Sequence, residues 1–97
     1  DVLSDAYVVT SAVGAAAGVP THGATSIESP VGTAASLHFA CAAPGATWGS
    51  ELFGPLLMAE EMAVEPLRYA DGHLHLPAGP GLGVELDPDK VRAFRRD

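Results

Sequence analysis

Apolar and small residues dominate the first 18 positions of the chain without keeping to one face of a helix. The stretch DVLSDAYVVTSAVGAAAG offers Ser4 or Asp5 as an N-cap and ends at Gly18, which suits the left-handed position after a helix. These signals predict a helix over roughly residues 5–17. Because it is apolar nearly all round, we expect this helix to pack within a layer of other elements.

Two β-prone stretches alternate with helical ones in the first half of the chain. VPTHG, residues 19–23, leads into the Ser, Pro and Gly loop ATSIESPVG, and a helix is predicted over residues 33–43, before Pro44. ATWGSELFG, residues 46–54, resembles a second strand running into a loop. This αβαβ order predicts parallel strands with helices outside them, as in a doubly wound sheet or a (β/α) barrel.

The second half departs from that order. PLRYADGHLHLP contains two short alternating runs around Asp71 and Gly72, which predict an antiparallel hairpin. PAGPGLGV is a rigid connector, and Asp87 followed by Pro88 predicts the start of a last helix to about Arg96. Two αβ units and a hairpin cannot close a barrel, which needs about eight strands, so we expect other protein to complete this fold.

The composition supports that expectation and restricts the classes of partner that the chain is expected to bind. The chain has 97 residues, of which 47% are hydrophobic, a surplus for one small domain. Its net charge of −7, with only five Lys and Arg, argues against nucleic acid. Arg92, Arg95 and Arg96 fit the cationic end of the last helix. No apolar run approaches the roughly 18–20 residues of a membrane span, so no membrane is expected as a partner.

The single cysteine, Cys41, lies in the apolar run LHFACAA. It has no second cysteine with which to form an internal disulfide, and its surroundings predict a small buried hydrophobic residue. A reducing, cytoplasmic location is the corresponding expectation.

Two acidic residues, Glu28 and Glu51, each follow a predicted strand of the same direction. Active sites of α/β barrels and open α/β sheets gather at the carboxyl ends of the strands, so the two carboxylates could face one cavity. The pattern leaves a second interpretation open, in which each Glu caps a loop or is a solvated charge.

The remaining polar motifs favour structural roles. None of the four histidines has a third donor at metal-ligand spacing, and the His-x-His pair on the hairpin is more typical of a solvated face than of a zinc site. These residues are His22, His38, His73 and His75. The spaced glycines of PAGPGLGV precede a strand-like VEL and open no helix, which excludes a phosphate loop.

One stretch is specific enough to point to a family. TWGSELFGPLL, residues 47–57, resembles the muconate and chloromuconate cycloisomerases of the enolase superfamily. GATSIESPVGTAASLH, residues 23–38, is similar to that family's seventh-strand loop and following helix, and PLRYADGHLHLPAGPGLGVELD, residues 66–87, to its C-terminal segment. The resemblance covers essentially the whole chain.

The resemblance implies an α/β fold, the C-terminal portion of a (β/α)7β barrel. VPTHGAT would be the seventh strand and ATWGSE the eighth. Residues 1–58 would then form the end of the barrel, and residues 59–97 a C-terminal segment with hairpin, connector and last helix, returning toward a capping domain. The expected partners are the rest of the barrel, the capping domain, and further copies of the parent in a homo-oligomer.

The resemblance also implies a chemistry. A carboxylate oxygen of cis,cis-muconate adds to a double bond of the same molecule, and the enolate formed is protonated to give a lactone. Glu51 falls on the family's eighth-strand carboxylate, directed at the substrate carboxylate and the enolate, where a protonated Glu51 could donate a hydrogen bond. Glu28 falls on the acidic position at the end of the seventh strand, where the resemblance makes it a second catalytic residue of the active site.

By the same resemblance, the Mn²⁺ or Mg²⁺ of the parent enzyme and its catalytic lysines lie upstream of residue 1. We therefore expect no metal to be bound by residues of this chain, and no activity from these 97 residues alone. Two alternatives remain open. One is another superfamily member, such as an N-acylamino-acid racemase or dipeptide epimerase, and the other is a non-catalytic fragment or interaction module.

Overall fold

The computed structural model describes the backbone of residues 2–96 and the side chains of residues 6–96. Its elements are, in order, α1 (Val2–Ala16), β1 (Gly23–Ala24), α2 (Pro30–Ala42), β2 (Ser50–Glu51), the 3-10 helix η1 (Gly54–Leu57), β3 (Tyr69–Ala70), β4 (His73–Leu74) and α3 (Pro88–Phe94). The predicted order of helices, strands and hairpin is confirmed. The strands are much shorter than the patterns indicated.

The two long helices begin earlier than predicted. α1 already includes Ser4 and Asp5, so neither is its N-cap, and that prediction is wrong. No breaker precedes them, and Val and Leu extend the helix toward the N-terminus. α2 begins at Pro30, not at residue 33, because a proline in the first turn gives up no helical hydrogen bond and already has a helical φ. Gly18 has a φ of 69°, as the predicted left-handed position requires.

β1 and β2 are parallel, as the αβαβ order predicted, with Gly23 opposite Ser50 and Ala24 opposite Glu51. Pairing is absent from most of the predicted strand VPTHG, in which Pro20 has no backbone N–H to donate. One further hydrogen bond, from the N–H of Thr21 to the carbonyl of Gly45 (2.8 Å), continues the contact before the strands begin.

The hairpin is confirmed in position and direction. β3 and β4 are antiparallel, with Tyr69 opposite Leu74 and Ala70 opposite His73. Asp71 and Gly72 both have positive φ, 53° and 75°, which is the signature of the tight turn favoured between twisted strands. The turn therefore fixes the register of this short ribbon.

The last helix is capped as predicted. The Asp87 carboxylate accepts hydrogen bonds from the backbone N–H groups of Asp89 (2.9 Å) and Lys90 (3.3 Å). The helix ends at Phe94, two residues before the predicted end. Its Lys90 ammonium donates to the carbonyl of Ala63 (3.2 Å), which ties the helix to the segment before the hairpin.

The buried core is small for so apolar a chain. Its hydrophobic members are Ala34, Leu37, Leu52, Ala63 and Leu67. The radius of gyration is 14.5 Å, against about 12.5 Å expected for a compact domain of this length. On α1, by contrast, large apolar side chains are more than half exposed; they include Tyr7, Val8, Val9 and Val13.

Cys41 contradicts its prediction. It is exposed, because it lies on a face of α2 that no described element covers. The apolar run around it was sound evidence for a helix but gave no information about which face would be covered. Within residues 2–96, no helix has the length and apolar character needed to cross a membrane.

Candidate functional site

Glu51 is the last residue of β2, at the carboxyl end of the parallel pair. The neighbouring Ser50 points toward the helical layer, since a Cβ placed on Gly23 would lie 2.7 Å from Ser50 Oγ and 3.9 Å from Ala40 Cβ of α2. Successive strand residues point to opposite faces. Glu51 therefore projects from the face that α2 does not cover.

A cavity of about 710 Å³ opens between the end of β2 and the hairpin. Glu51 and Phe53 line it from the first side, Tyr69 and His73 from the second, and Leu37 of α2 lies at its wall. Glu51 is exposed, and within residues 2–96 its carboxylate has no hydrogen bond or ion pair. The carboxylate is therefore available to a molecule that enters the cavity.

The residue after Glu51 anchors this strand end. Leu52 is only 6% exposed, and its carbonyl accepts a hydrogen bond of 2.8 Å from the hydroxyl of Tyr69 in the hairpin. Burial raises the pKa of the Tyr69 phenol, and the charges of Glu61 and Glu28 raise it further. The phenol therefore stays protonated and remains a donor.

Glu28 lies at the same edge but in a different environment. Its Oε2 accepts hydrogen bonds from the hydroxyl of Thr25 (2.9 Å) and the backbone N–H of Ser26 (2.5 Å). Partial burial acts to raise the pKa of Glu28. The opposing hydrogen bonds from its own N–H, that of Ser26 and the Thr25 hydroxyl outweigh burial and hold the pKa below its ordinary value. The Glu28 carboxylate is therefore occupied by hydrogen bonds from its own loop.

That loop, residues 25–29, is strained and tightly packed. Ile27 has a φ of 62° and is 71% exposed, and positive φ is unfavourable for a β-branched residue. Gly54 of η1 approaches so closely that a Cβ on it would overlap the carbonyl oxygen of Glu28. The Glu28 carboxylate and the Gly54 contact together hold the loop in this conformation.

The structure therefore separates the two predicted carboxylates. Both follow parallel strands, but Glu51 lines the cavity and Glu28 is not among its lining residues. Sequence reasoning missed Tyr69, whose hydroxyl reaches back 17 residues to Leu52. Neither its hairpin position nor its spacing carried a signal for that bond, because the contact depends on how the hairpin folds back.

The histidines form no metal centre. His73 Nδ1 lies 2.8 Å from the carbonyl of Asp71, and His38 Nε2 lies 3.2 Å from the carbonyl of Leu82. The rings of His73 and His75 are tilted, with centroids 6.5 Å apart. Among residues 6–96, whose side chains the structure describes, no three His, Cys, Asp or Glu side chains are grouped so that they could hold a metal ion.

Comparison with known proteins gives consistent matches. Residues 6–90 match the family model described as Enolase C-terminal domain-like. The chain is 63% identical over 86 residues to muconate cycloisomerase 1 of Rhodococcus opacus, a match that covers 89% of this chain and 23% of that protein. It is 44% identical over 91 residues to muconate cycloisomerase 1 of Pseudomonas putida, covering 94% of this chain and 24% of that protein.

A solved structure agrees. The crystal structure of muconate lactonizing enzyme from Pseudomonas fluorescens, complexed with muconolactone, matches with a TM-score of 0.84 and 44% identity. The match covers 90% of this chain and 24% of that one. The chain thus spans about a quarter of the length of the relatives it matches.

Proposed function

The chain belongs to the Enolase C-terminal domain-like family, and on this premise we propose that it is the C-terminal part of a longer muconate cycloisomerase, called the parent protein below. Its fold is that of the matching part of the muconate lactonizing enzymes, which are barrel enzymes, so the predicted family and fold class are confirmed. The division at residues 58 and 59 remains a prediction.

We propose that the parent protein interconverts cis,cis-muconate, or a chlorinated muconate, and its lactone. The observation that carries this proposal is the position of Glu51, which lines the cavity at the carboxyl end of β2 with a carboxylate free of partners among the described residues. When the substrate's own carboxylate adds to its double bond, charge develops on the remaining carboxylate as an enolate forms. Glu51 is placed to contact that oxygen, and as the neutral acid beside bound substrate it would donate a hydrogen bond where the charge develops.

We further propose that the parent protein carries Mn²⁺ or Mg²⁺ on residues outside this chain. Such a cation would act as a Lewis acid toward the substrate carboxylate. The described residues of this chain do not fit a metal, because no suitable group of three ligands exists among them. What the chain supplies is a wall of the cavity and the Glu51 carboxyl group.

The partners follow from the uncovered surface. The exposed valines of α1 and the large radius of gyration support burial of this chain against the remainder of a barrel and a capping domain. Assembly of the parent protein into a homo-oligomer is a further proposal, which size-exclusion chromatography with light scattering would test.

The first experiment is the intact mass of the purified natural protein. A mass several times larger than the 9.9 kDa of this chain is expected. A mass near 9.9 kDa would contradict the proposal of a longer parent protein and favour a separate interaction module.

The second experiment is a substrate panel with the parent protein. Loss of cis,cis-muconate or chloromuconate absorbance is expected, with no turnover of N-acylamino acids or dipeptides. Racemisation of those compounds without turnover of muconate would favour the alternative member of the superfamily.

A graft tests the equivalence of the segments directly. The 86 matching residues of the Rhodococcus opacus enzyme would be replaced by those of this chain, with the unmodified enzyme as control. Because 63% of these positions are identical, most of the activity should remain. A folded but inactive graft would contradict the proposed role of this segment.

A further inference from the structure

The direction of the Glu51 side chain is set by its backbone, because its carboxylate contacts no side chain by hydrogen bond or ion pair within residues 2–96. β2 pairs with β1 over only two residues and ends at Glu51. Two interactions hold the next residue: burial of the Leu52 side chain, and the hydrogen bond from Tyr69 to its carbonyl.

We propose that Tyr69 is a positioning residue for the active site. By holding the Leu52 carbonyl, its hydroxyl fixes the Leu52–Phe53 peptide, one residue beyond Glu51, and so restricts the direction in which Glu51 enters the cavity. This inference rests on the proposed function, since it assigns to the hairpin a role in aiming that function's carboxyl group.

The hairpin is a suitable base for such a contact. Its tight Asp71–Gly72 turn fixes the β3–β4 register, and Tyr69 lies opposite Leu74 in that ribbon. Tyr69 is half-buried and lines the same cavity as Glu51, so the bond lies at the edge of the site. A side chain held by a rigid element positions its partner more precisely than one on a loose loop.

The raised pKa of Tyr69 is consistent with this role. Burial, Glu61 and Glu28 all raise that pKa, so the hydroxyl remains a hydrogen-bond donor over the usual assay range.

A positioning role and a merely structural role predict different results. If Tyr69 only stabilised the fold, removing its hydroxyl would change stability to the same extent with or without a functional Glu51, and kcat would follow the folded fraction. If Tyr69 aims Glu51, the loss of kcat should depend on Glu51 being present.

The experiment uses the parent protein with Tyr69→Phe, Glu51→Ala, the double variant and Tyr7→Phe. Tyr7 of α1 is not among the residues that line the cavity, so its variant is a matched removal of a phenol hydroxyl outside the site. We expect Tyr69→Phe to lower kcat on cis,cis-muconate about three- to tenfold, the effect of one lost hydrogen bond, with KM changed less than about twofold. In the Glu51→Ala background it should add no further loss, and Tyr7→Phe should match the wild type.

Hydrogen exchange of the substrate-free protein supplies a readout that needs no turnover. Tyr69→Phe should speed exchange of the backbone amides of residues 51–53, and Tyr7→Phe should not. Unchanged exchange there, or an equal kcat loss with and without Glu51, would overturn the positioning role. If the parent protein turns over no muconate, the proposed function fails, while the exchange result still decides whether Tyr69 holds this strand end.

Discussion

The loop of residues 25–29 and the end of β2 occupy the same edge of a parallel pair, yet they leave their carboxylates in opposite states. In the loop, Glu28 already accepts hydrogen bonds from Thr25 and Ser26, and its pKa is lowered accordingly. At the strand end, Glu51 is exposed to the cavity and has no such partner within residues 2–96. Position at the carboxyl end of a strand is therefore not enough to identify an active-site carboxylate. The hydrogen bonds that the carboxylate already accepts decide whether it is available to a ligand.

The difference has a local physical origin. The loop includes a residue with positive φ, Ile27, and strain of this kind persists only where surrounding contacts hold it. The Glu28 carboxylate supplies one such contact by accepting a hydrogen bond from the N–H of Ser26. The strand end needs no such acceptor, because burial of Leu52 and the Tyr69 hydrogen bond already hold it.

The largest expected effect comes from removing the carboxyl group of Glu51. In the parent protein, Glu51→Ala should lower kcat on cis,cis-muconate about 100-fold, the typical cost of removing one donor aimed at a developing oxyanion. Steady-state kinetics measures this. Affinity for Mn²⁺ or Mg²⁺, measured by titration calorimetry, and the melting temperature should stay nearly unchanged. Wild-type turnover in this variant would remove Glu51 from the mechanism and end the contrast with Glu28.

The second prediction concerns the contact between the loop of residues 25–29 and η1, which follows the end of β2. Gly54→Ala places a Cβ against the carbonyl of Glu28, and because backbone on both sides must shift, we expect a loss of roughly 2–3 kcal/mol in the free energy of unfolding. Chemical denaturation of the parent protein measures it.

Gly49→Ala is the matched control for that variant. Gly49 has open space around its Cβ position but a φ of 74°, so only the backbone strain of about 1 kcal/mol should appear. Gly54 has no positive φ, so a Gly54→Ala variant as stable as the wild type would show that its contact with Glu28 relaxes without cost.

The sequence predicted more of this fold than of the site. Local signals that reside in a few adjacent residues were reliable, as with the turn at Asp71 and the cap at Asp87. Signals that depend on neighbours far along the chain were less reliable. Cys41 lies on an uncovered face, and β1 occupies Gly23–Ala24 and not the whole of the predicted stretch 19–23. The family resemblance proposed roles for Glu28 and Glu51 but could not show that Glu28 is engaged by its own loop.

A third and smaller effect tests that engagement. Glu28→Gln in the parent protein should cost about 1 kcal/mol of stability, since the amide is a weaker acceptor for the Ser26 N–H and the Thr25 hydroxyl, while kcat falls less than about twofold. Thermal melts and kinetics on the same samples measure both. A loss of kcat as large as that of Glu51→Ala would show that Glu28 contacts the substrate after all.

The pH dependence sharpens the same test. The folded-state pKa of Glu28 is depressed, so its contribution is present above its ordinary pKa of 4.5 and is lost as the pH falls through the lower folded-state value. The stability gap between wild type and Glu28→Gln should therefore be full at pH 7 and narrow below about pH 4.5. A gap that stayed constant to low pH would mean that the charge of Glu28 plays no part in holding the loop.

The smallest effect concerns the hairpin imidazoles, where the distinction between engaged and free groups applies again. His73 Nδ1 lies within hydrogen-bond distance of the Asp71 carbonyl, and the ring of His75 lies 6.5 Å away without a third ligand in the described part of the chain. Two ligands, one of them tied to its own turn, should bind zinc too weakly to stabilise the fold. Zinc titration should thus shift the melting temperature of the parent protein equally with and without a His73→Ala/His75→Ala double substitution. A saturable increase in melting temperature that is lost in the double variant would instead identify a metal site on the hairpin. Its imidazoles would then be available to a ligand, as the Glu51 carboxylate is.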